Sequence, residues 1–229
     1  MQAQPQVISQ PSQQALAQNR VLRNTYWLLA LTMIPTVIGA VLGLNTNFSF
    51  MAQHPIMGTL VMFGIMMGFL FGLRKARNSV FAIPLMLGFT FLMGWWLGPM
   101  LQYALHFPIG AQLIGVAAGG TAAIFFTLAG IATVSKRDFS FLGNFLFIGL
   151  ILVVIASVAN LFLNIPALSL TISGVAILVF SGFILFDVNR IVRGGETNYV
   201  MATLSLYLNV YNLFVHLLNI LLAFSGNRE

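Results

Sequence analysis

The sequence predicts an all-α integral membrane protein with seven transmembrane helices. Its composition is the first observation: 59% of the 229 residues are hydrophobic and only 6% are charged, too few to cover a water-facing surface. The second is that the charged residues lie outside the long apolar runs or at their ends, where they avoid the cost of burial in hydrocarbon. We therefore expect membrane lipid to surround most of the chain.

Seven segments are apolar over the roughly 20 residues that a membrane-spanning helix needs. The predicted spans are residues 26–44, 56–73, 80–103, 109–134, 139–163, 167–186 and 199–224. Short separators rich in turn residues connect them, so neighbouring spans should run antiparallel and leave no room for an extramembrane catalytic domain. Thr197 or Asn198 is expected to cap the last span.

Residues 1–25 precede the first span and are predicted to form a flexible cytoplasmic tail, whereas residues 26–226 form the seven-helix domain. The first 19 residues include seven glutamines together with Pro5 and Pro11. Such a composition buries too little apolar surface to order itself. The tail is either a simple leader or a handle that another protein can bind.

Glycines recur four residues apart in several spans, a spacing that lets helix backbones approach closely in lipid. The sets are Gly39 and Gly43; Gly64, Gly68 and Gly72; Gly94 and Gly98; and Gly115 and Gly119. In the third span, Pro99 follows Gly98 and a pair of tryptophans, which favour the membrane interface. This pattern predicts a break in that span close to an interface.

The last span carries a polar stripe on one face. Its members fall within an arc of about 80° when plotted at about 100° per residue, and they are Ser205, Asn209, Asn212, His216 and Asn219. Because amides that faced lipid would be left unpaired, the stripe predicts that the last helix is central and enclosed by the other six. A smaller patch near the outer end of the fifth span could face it: Ser157, Asn160 and Asn164.

Two interpretations of the polar stripe remain open at this stage. It could form hydrogen bonds that hold the helices together, or it could line a narrow wet path. His216 is the only ionisable member of the stripe. It could be a hydrogen-bonded core residue or a proton relay.

Asp187 is the acidic residue nearest to membrane depth, at the end of the sixth span. Its candidate ion-pair partners are Arg190, Arg193, Arg74 and Arg77. Asp187 is either a structural acid that ties down the cytoplasmic end of the bundle or a gate or sensor whose contacts protonation breaks. As a single carboxylate, it is at most a weak candidate for a metal ligand.

The basic residues of the short loops predict the orientation in the membrane. One side of the membrane receives Arg20, Arg23, Arg74, Lys75, Arg77, Lys136, Arg137, Arg190 and Arg193, and the other receives only Arg228. Since an odd number of spans places the two termini on opposite sides, we expect a cytoplasmic N-terminus and a C-terminus on the far side.

The residues predict neither an enzyme nor a cofactor or metal site. No span holds paired carboxylates, and the HExxH and GxSxG motifs are absent. The chain has no cysteine, which excludes thiolate ligands and a cysteine nucleophile. Its formal charge of +6 is divided among separate loops, so we do not expect nucleic acid as a partner.

Several local motifs carry a family resemblance. They are VLRNTY at 21–26, LGPML at 97–101, GGTA at 119–122, DFSFLGNF at 138–145, GGETNY at 194–199 and ATLSLYLNVYNLF at 202–214. With these motifs the chain resembles the Bax inhibitor-1 family of membrane proteins, most closely its bacterial YccA branch. The resemblance implies a seven-helix fold whose last helix is enclosed by the other six.

The resemblance also implies two candidate functions in the bacterial inner membrane, with a periplasmic C-terminus. The first is non-enzymatic modulation of the membrane-bound FtsH protease complex, by inhibition or competition. The alternative is a pH-sensitive calcium or cation leak, with calcium ions or protons as partners and Asp187 near the cytoplasmic gate. The gate and pore candidates are Asp187, Asn209, Asn212, His216, Arg74 and Arg77.

One position departs from the calcium-leak members of the family. Those members pair two aspartates on the sixth and seventh helices, and Asp187 corresponds to the first. The second corresponds to Asn209, an amide that cannot ionise, so the two-carboxylate sensor is absent. An arginine that latches the first aspartate would correspond to Arg74 or Arg77.

Overall fold

The computed structural model describes residues 10–49 and 53–226. The helices bounded in this part of the chain are α1 (Gln10–Leu44), α2 (Pro55–Ala76), α3 (Ala82–Trp96), α4 (Gly98–Leu105), α5 (Gly110–Val134), α6 (Leu142–Leu163), α7 (Pro166–Val192) and α8 (Tyr199–Gly226). The helices α3 and α4 form one broken span, so the described residues supply seven segments long and apolar enough to cross a membrane. The predicted all-α class with seven transmembrane helices is confirmed.

The first helix begins earlier than the sequence predicts. Residues 10–25, predicted as part of a flexible tail, belong to α1, while residues 1–9 lie outside the described part of the chain. The added segment is rich in Gln, Ala, Leu and Arg, which favour helix, and Pro11 is tolerated in a first turn. With its 35 residues, α1 is about 52 Å long, so it extends beyond a hydrocarbon core about 30 Å thick.

Glycines bring α1 and the third span into backbone contact. A Cβ added to Gly39 would lie 2.8 Å from the Trp95 nitrogen, and one added to Gly94 would lie 2.8 Å from the Thr36 Cα. The predicted close approach is therefore confirmed for this helix pair. Four glycines of the same spacing face open space instead, so the prediction is wrong for them: Gly64, Gly68, Gly115 and Gly119.

The third span breaks where the sequence predicts. α3 ends at Trp96 and α4 begins at Gly98, with Leu97 between them. The Nε2 of Gln102, on α4, donates hydrogen bonds to the carbonyl oxygens of Gly43 (3.0 Å) and Leu44 (3.1 Å). The side chain of Gln102 thereby satisfies carbonyls that the end of α1 leaves unpaired, and it fixes the two spans together at this end of the bundle.

The last helix, α8, is the most uniformly covered part of the bundle. Every residue from 198 to 223 is buried or half-buried. α8 packs against α7, α5, α1 and α3, while α2 packs mainly on α3 and α6 mainly on α7. Enclosure of α8 by all six other spans stays a prediction, because these contacts show a covered helix but not a closed ring around it.

Candidate functional site

The loops that carry the basic residues meet at one end of the bundle, here called the basic end. The Nδ2 of Asn198 donates to the Arg77 carbonyl at 2.9 Å, which joins the loop before α8 to the loop after α2. The Nη2 of Arg193 donates to the Lys136 carbonyl at 2.6 Å, which adds the loop after α5. These contacts place three basic loops side by side, as the predicted orientation requires. The side of the membrane on which the basic end lies stays a prediction.

Asn198 caps α8, as the sequence predicts. Its Oδ1 accepts hydrogen bonds from the backbone N–H groups of Val200 and Met201, each at 3.0 Å. These are the second and third residues of the helix, whose N–H groups have no partner within it. A single asparagine therefore starts α8 and also ties it to the end of α2.

Asn189 is a second anchor of the basic end, and sequence reasoning missed it. It is 1% exposed; its Oδ1 accepts from the Phe139 N–H at 3.1 Å and its Nδ2 donates to the Arg137 carbonyl at 3.1 Å. Buried amides need such partners. The available signal was an amide two residues after Asp187 in an otherwise apolar helix, which indicates a buried polar contact.

Asp138 organises the loop between α5 and α6. Its carboxylate accepts hydrogen bonds from the hydroxyl (2.6 Å) and the backbone N–H (2.8 Å) of Ser140. These two bonds, with a smaller effect of the Arg193 guanidinium, lower the pKa of Asp138 below its ordinary value. The side chain is exposed, so this interaction shapes the loop more than it stabilises the bundle.

Asp187 and Asn209 join α7 to α8 inside the membrane region. The Nδ2 of Asn209 donates to the Asp187 Oδ2 at 2.7 Å. Both side chains line a cavity of about 710 Å³ between α2, α6, α7 and α8. A carboxylate at this depth thus has a hydrogen-bond partner and an open cavity beside it.

His216 and Asn219 make a second interhelical connection further from the basic end. The Nδ2 of Asn219 donates to the Ser173 Oγ at 2.8 Å, and the His216 Nδ1 lies 3.2 Å from the same oxygen. The Ser173 hydroxyl can donate to Nδ1 or accept from it, and the tautomer of the His216 ring decides which. The ring is stacked on Phe180, with centroids 6.0 Å apart.

The polar stripe therefore both bonds helices together and lines cavities. A second cavity, of about 550 Å³, lies between α6, α7 and α8 toward the end opposite the basic end. Ser157, Leu161 and His216 line both cavities. The patch on the fifth span faces the stripe as predicted, because Asn160 and Asn164 share the second cavity with Asn219.

Comparison with known proteins identifies the family of this bundle. Residues 18–226 match the protein family described as inhibitor of apoptosis-promoting Bax1. The chain belongs to the Bax inhibitor-1 family. The similarity covers all seven spans, so this membership rests on the whole bundle and not on one motif.

Bacterial relatives of this Bax inhibitor-1 protein match it over almost its full length. An uncharacterized membrane protein of Vibrio cholerae is 43% identical over 215 residues, which are 94% of each chain. The modulator of FtsH protease YccA of Escherichia coli K12 is 42% identical over 206 residues, which are 90% of this chain and 91% of that protein. The inner membrane protein YccA of a second E. coli strain matches to the same extent.

The structure brings together the two positions that the Bax inhibitor-1 resemblance singles out, Asp187 and Asn209. Arg190 lines their cavity, and its guanidinium lies 3.6 Å from the Glu196 carboxylate. Arg74 and Arg77 are exposed and do not line that cavity, so the latch assigned to one of them stays a prediction. Among the described residues, no group of three His, Cys, Asp or Glu side chains could hold a metal ion.

Proposed function

We propose that this protein is a non-enzymatic, multi-pass inner-membrane protein that modulates an FtsH-type membrane protease, by inhibiting it or by competing with its substrates. The observation that carries the proposal is the 42% identity, over 90% of this chain, to a protein named as a modulator of FtsH protease. The proposal includes a cytoplasmic N-terminus and a periplasmic C-terminus.

The form of the N-terminal region supports this function. α1 continues from the first span to Gln10, and Leu16 is 68% exposed. The Gln18 side chain lies beside Gly194, in the loop before α8, so this part of α1 belongs to the basic end. A helix that extends from the basic end offers a protease a surface outside the lipid.

A pulse-chase experiment in cells that carry an FtsH-type protease tests the proposal. Expression of the full chain should lengthen the half-life of a membrane substrate of that protease several-fold. Deletion of residues 1–15 should abolish the effect, although it leaves the apolar segment Leu16–Leu44 complete.

Two controls make the result interpretable. The half-life of a protein degraded by a soluble protease should not change. The deletion variant should reach the membrane in the same amount as the full chain. An unchanged half-life on expression of the full chain would show that the protein does not modulate the protease.

A pH-sensitive calcium or cation leak is the second candidate. The observation that favours it is that two cavities beside the polar stripe share the lining residues Ser157 and His216 and together extend from Arg190 to Asn164. Calcium flux into proteoliposomes tests it, with Asp187→Asn as the variant. If the protein is a leak gated at Asp187, this substitution should alter the calcium flux. Identical flux at every pH for the wild-type chain and for Asp187→Asn would rule out a gate at Asp187.

A further inference from the structure

The cavity beside Asp187 and Asn209 opens to the side of the bundle between α2 and α6, and we call this opening the lateral groove. Its walls include Phe63 of α2 and Val154 of α6, and its floor includes Asn209 and Asn212 of α8. The groove exists because α2 packs mainly on α3 and α6 mainly on α7, so a gap separates the two wall helices and the half-buried Asn212 of α8 lies at its bottom.

The floor of the lateral groove has hydrogen-bonding capacity that the bundle does not use. The one hydrogen bond described for the Asn212 side chain runs from Nδ2 to the Leu208 carbonyl on its own helix, at 2.8 Å. Within the described part of the chain, no group donates to its Oδ1, so this oxygen can accept from a group in the groove. The Asn209 Nδ2 donates to Asp187. No hydrogen bond to the Asn209 Oδ1 is found among the described residues.

The walls of the groove are apolar and reach the lipid. Phe63 is 59% exposed and Val154 is 51% exposed. A single occupant that matches both surfaces is apolar along its flanks and offers hydrogen-bond donors along one face. An acyl chain supplies the first property but not the second, and unpaired amides in hydrocarbon are unfavourable.

We propose that the lateral groove binds one transmembrane helix of a partner, with hydroxyl or amide side chains opposite Asn212 and Asn209. Such side chains bond across helices within membranes, and a helix buries its remaining apolar surface against the two walls. The inference rests on the proposed function, because the partner that it assigns to the groove is the FtsH-type protease complex.

Site-directed photocrosslinking tests this assignment in native membranes. The chain has no cysteine, so single-cysteine variants carry a benzophenone-maleimide probe at one known place. Val154→Cys and Phe63→Cys place the probe on the two walls. Val116→Cys on α5, an exposed valine outside the groove, is the matched control for Val154→Cys.

The expected result is a covalent product with a subunit of the protease complex from both wall positions, several-fold stronger than from Val116→Cys. Products of equal yield from all three positions would overturn the groove as the binding site. So would a product between two copies of this chain, or labelling of lipid alone. In each of those cases, co-purification of the protease with the wild-type chain would leave the proposed function standing, whereas its absence would end both proposals.

Substitution of Asn212 tests the polar part of the inference. Asn212→Leu should reduce the yield from Val154→Cys by about threefold or more, the scale of one interhelical hydrogen bond in a membrane. Asn212→Gln should retain it. Both variants should unfold at the temperature of the wild-type chain, because the described bond of Asn212 is to its own helix. Equal yields from the Leu and Gln variants would overturn the role of the amide.

Discussion

At the scale of single residues, asparagine side chains connect the helix ends and loops of this bundle. Asn198 caps α8 and contacts the loop after α2, and Asn189 holds the loop between α5 and α6. Asn209 performs the same task inside the membrane region by donating to Asp187. An amide suits these places because it donates and accepts at once without placing a charge in a low-dielectric environment.

Asn198→Ala should therefore lower the stability of the bundle by about 1–2 kcal/mol, because it removes the cap of α8 and the hydrogen bonds of the Asn198 Nδ2 to the Arg77 carbonyl and the Asn78 Oδ1. Thermal unfolding in detergent measures the effect. Thr197→Ala is the control. Because Thr197 is exposed, this variant should unfold at the temperature of the wild-type chain. Equal unfolding temperatures for the two variants would show that the cap does not stabilise α8.

The cap of α8 and the surroundings of Asp187 show how far the contacts of single residues can be predicted from the sequence. The sequence offered Thr197 or Asn198, and the structure selects the asparagine. Arg190 was one of four candidate partners for Asp187; it lines the same cavity, but its described ion pair is with Glu196, so the ion-pair partner of Asp187 stays a prediction. The spacing in the chain does not choose between such partners, because the direction of a long arginine side chain depends on the surrounding loops.

At the scale of helices, close packing is concentrated at the crossing of α1 and the third span. Gly39 and Gly94 lie where one backbone meets the other, and any side chain there would overlap with backbone atoms. Gly64 and Gly68 repeat the spacing on α2 without a neighbour. The spacing of glycines is visible in the sequence, but the face that each helix presents to a neighbour is fixed only by tertiary packing.

Gly94→Ala should destabilise the protein by about 1–3 kcal/mol, because α1 and α3 must separate to admit a methyl group. Gly68→Ala should be neutral or should stabilise α2 by up to about 1 kcal/mol, since alanine favours helix and has open space there. Thermal unfolding of both variants in the same detergent compares them. A stability loss of the same size at Gly68 would contradict the assignment of the crossing.

At the scale of the whole molecule, the seven spans were predictable because apolar length is a local property of the sequence. The covering of α8 was predictable too, since its polar stripe is unfavourable in lipid. The lateral groove was not, because it arises from the way α2 and α6 pack on different neighbours. The start of α1 at Gln10 was also not predicted, because the low hydrophobicity of residues 10–25 concealed their helix propensity.

The orientation of the bundle is the prediction that belongs to the molecule as a whole. Because the basic residues gather at one end, we expect that end in the cytoplasm and the C-terminus in the periplasm. Alkaline phosphatase fused to the C-terminus should be active. Green fluorescent protein fused at the same position should not be fluorescent. A fluorescent fusion without phosphatase activity would reverse the orientation.

Direct binding tests the central claim that this bundle acts on a membrane protease. The measurement is energy transfer between a labelled copy of this chain and a labelled, purified FtsH-type protease in one lipid nanodisc. We expect a saturable signal that an unlabelled copy of the chain competes away. A signal no larger than that of an unrelated seven-helix protein at the same density would contradict the claim.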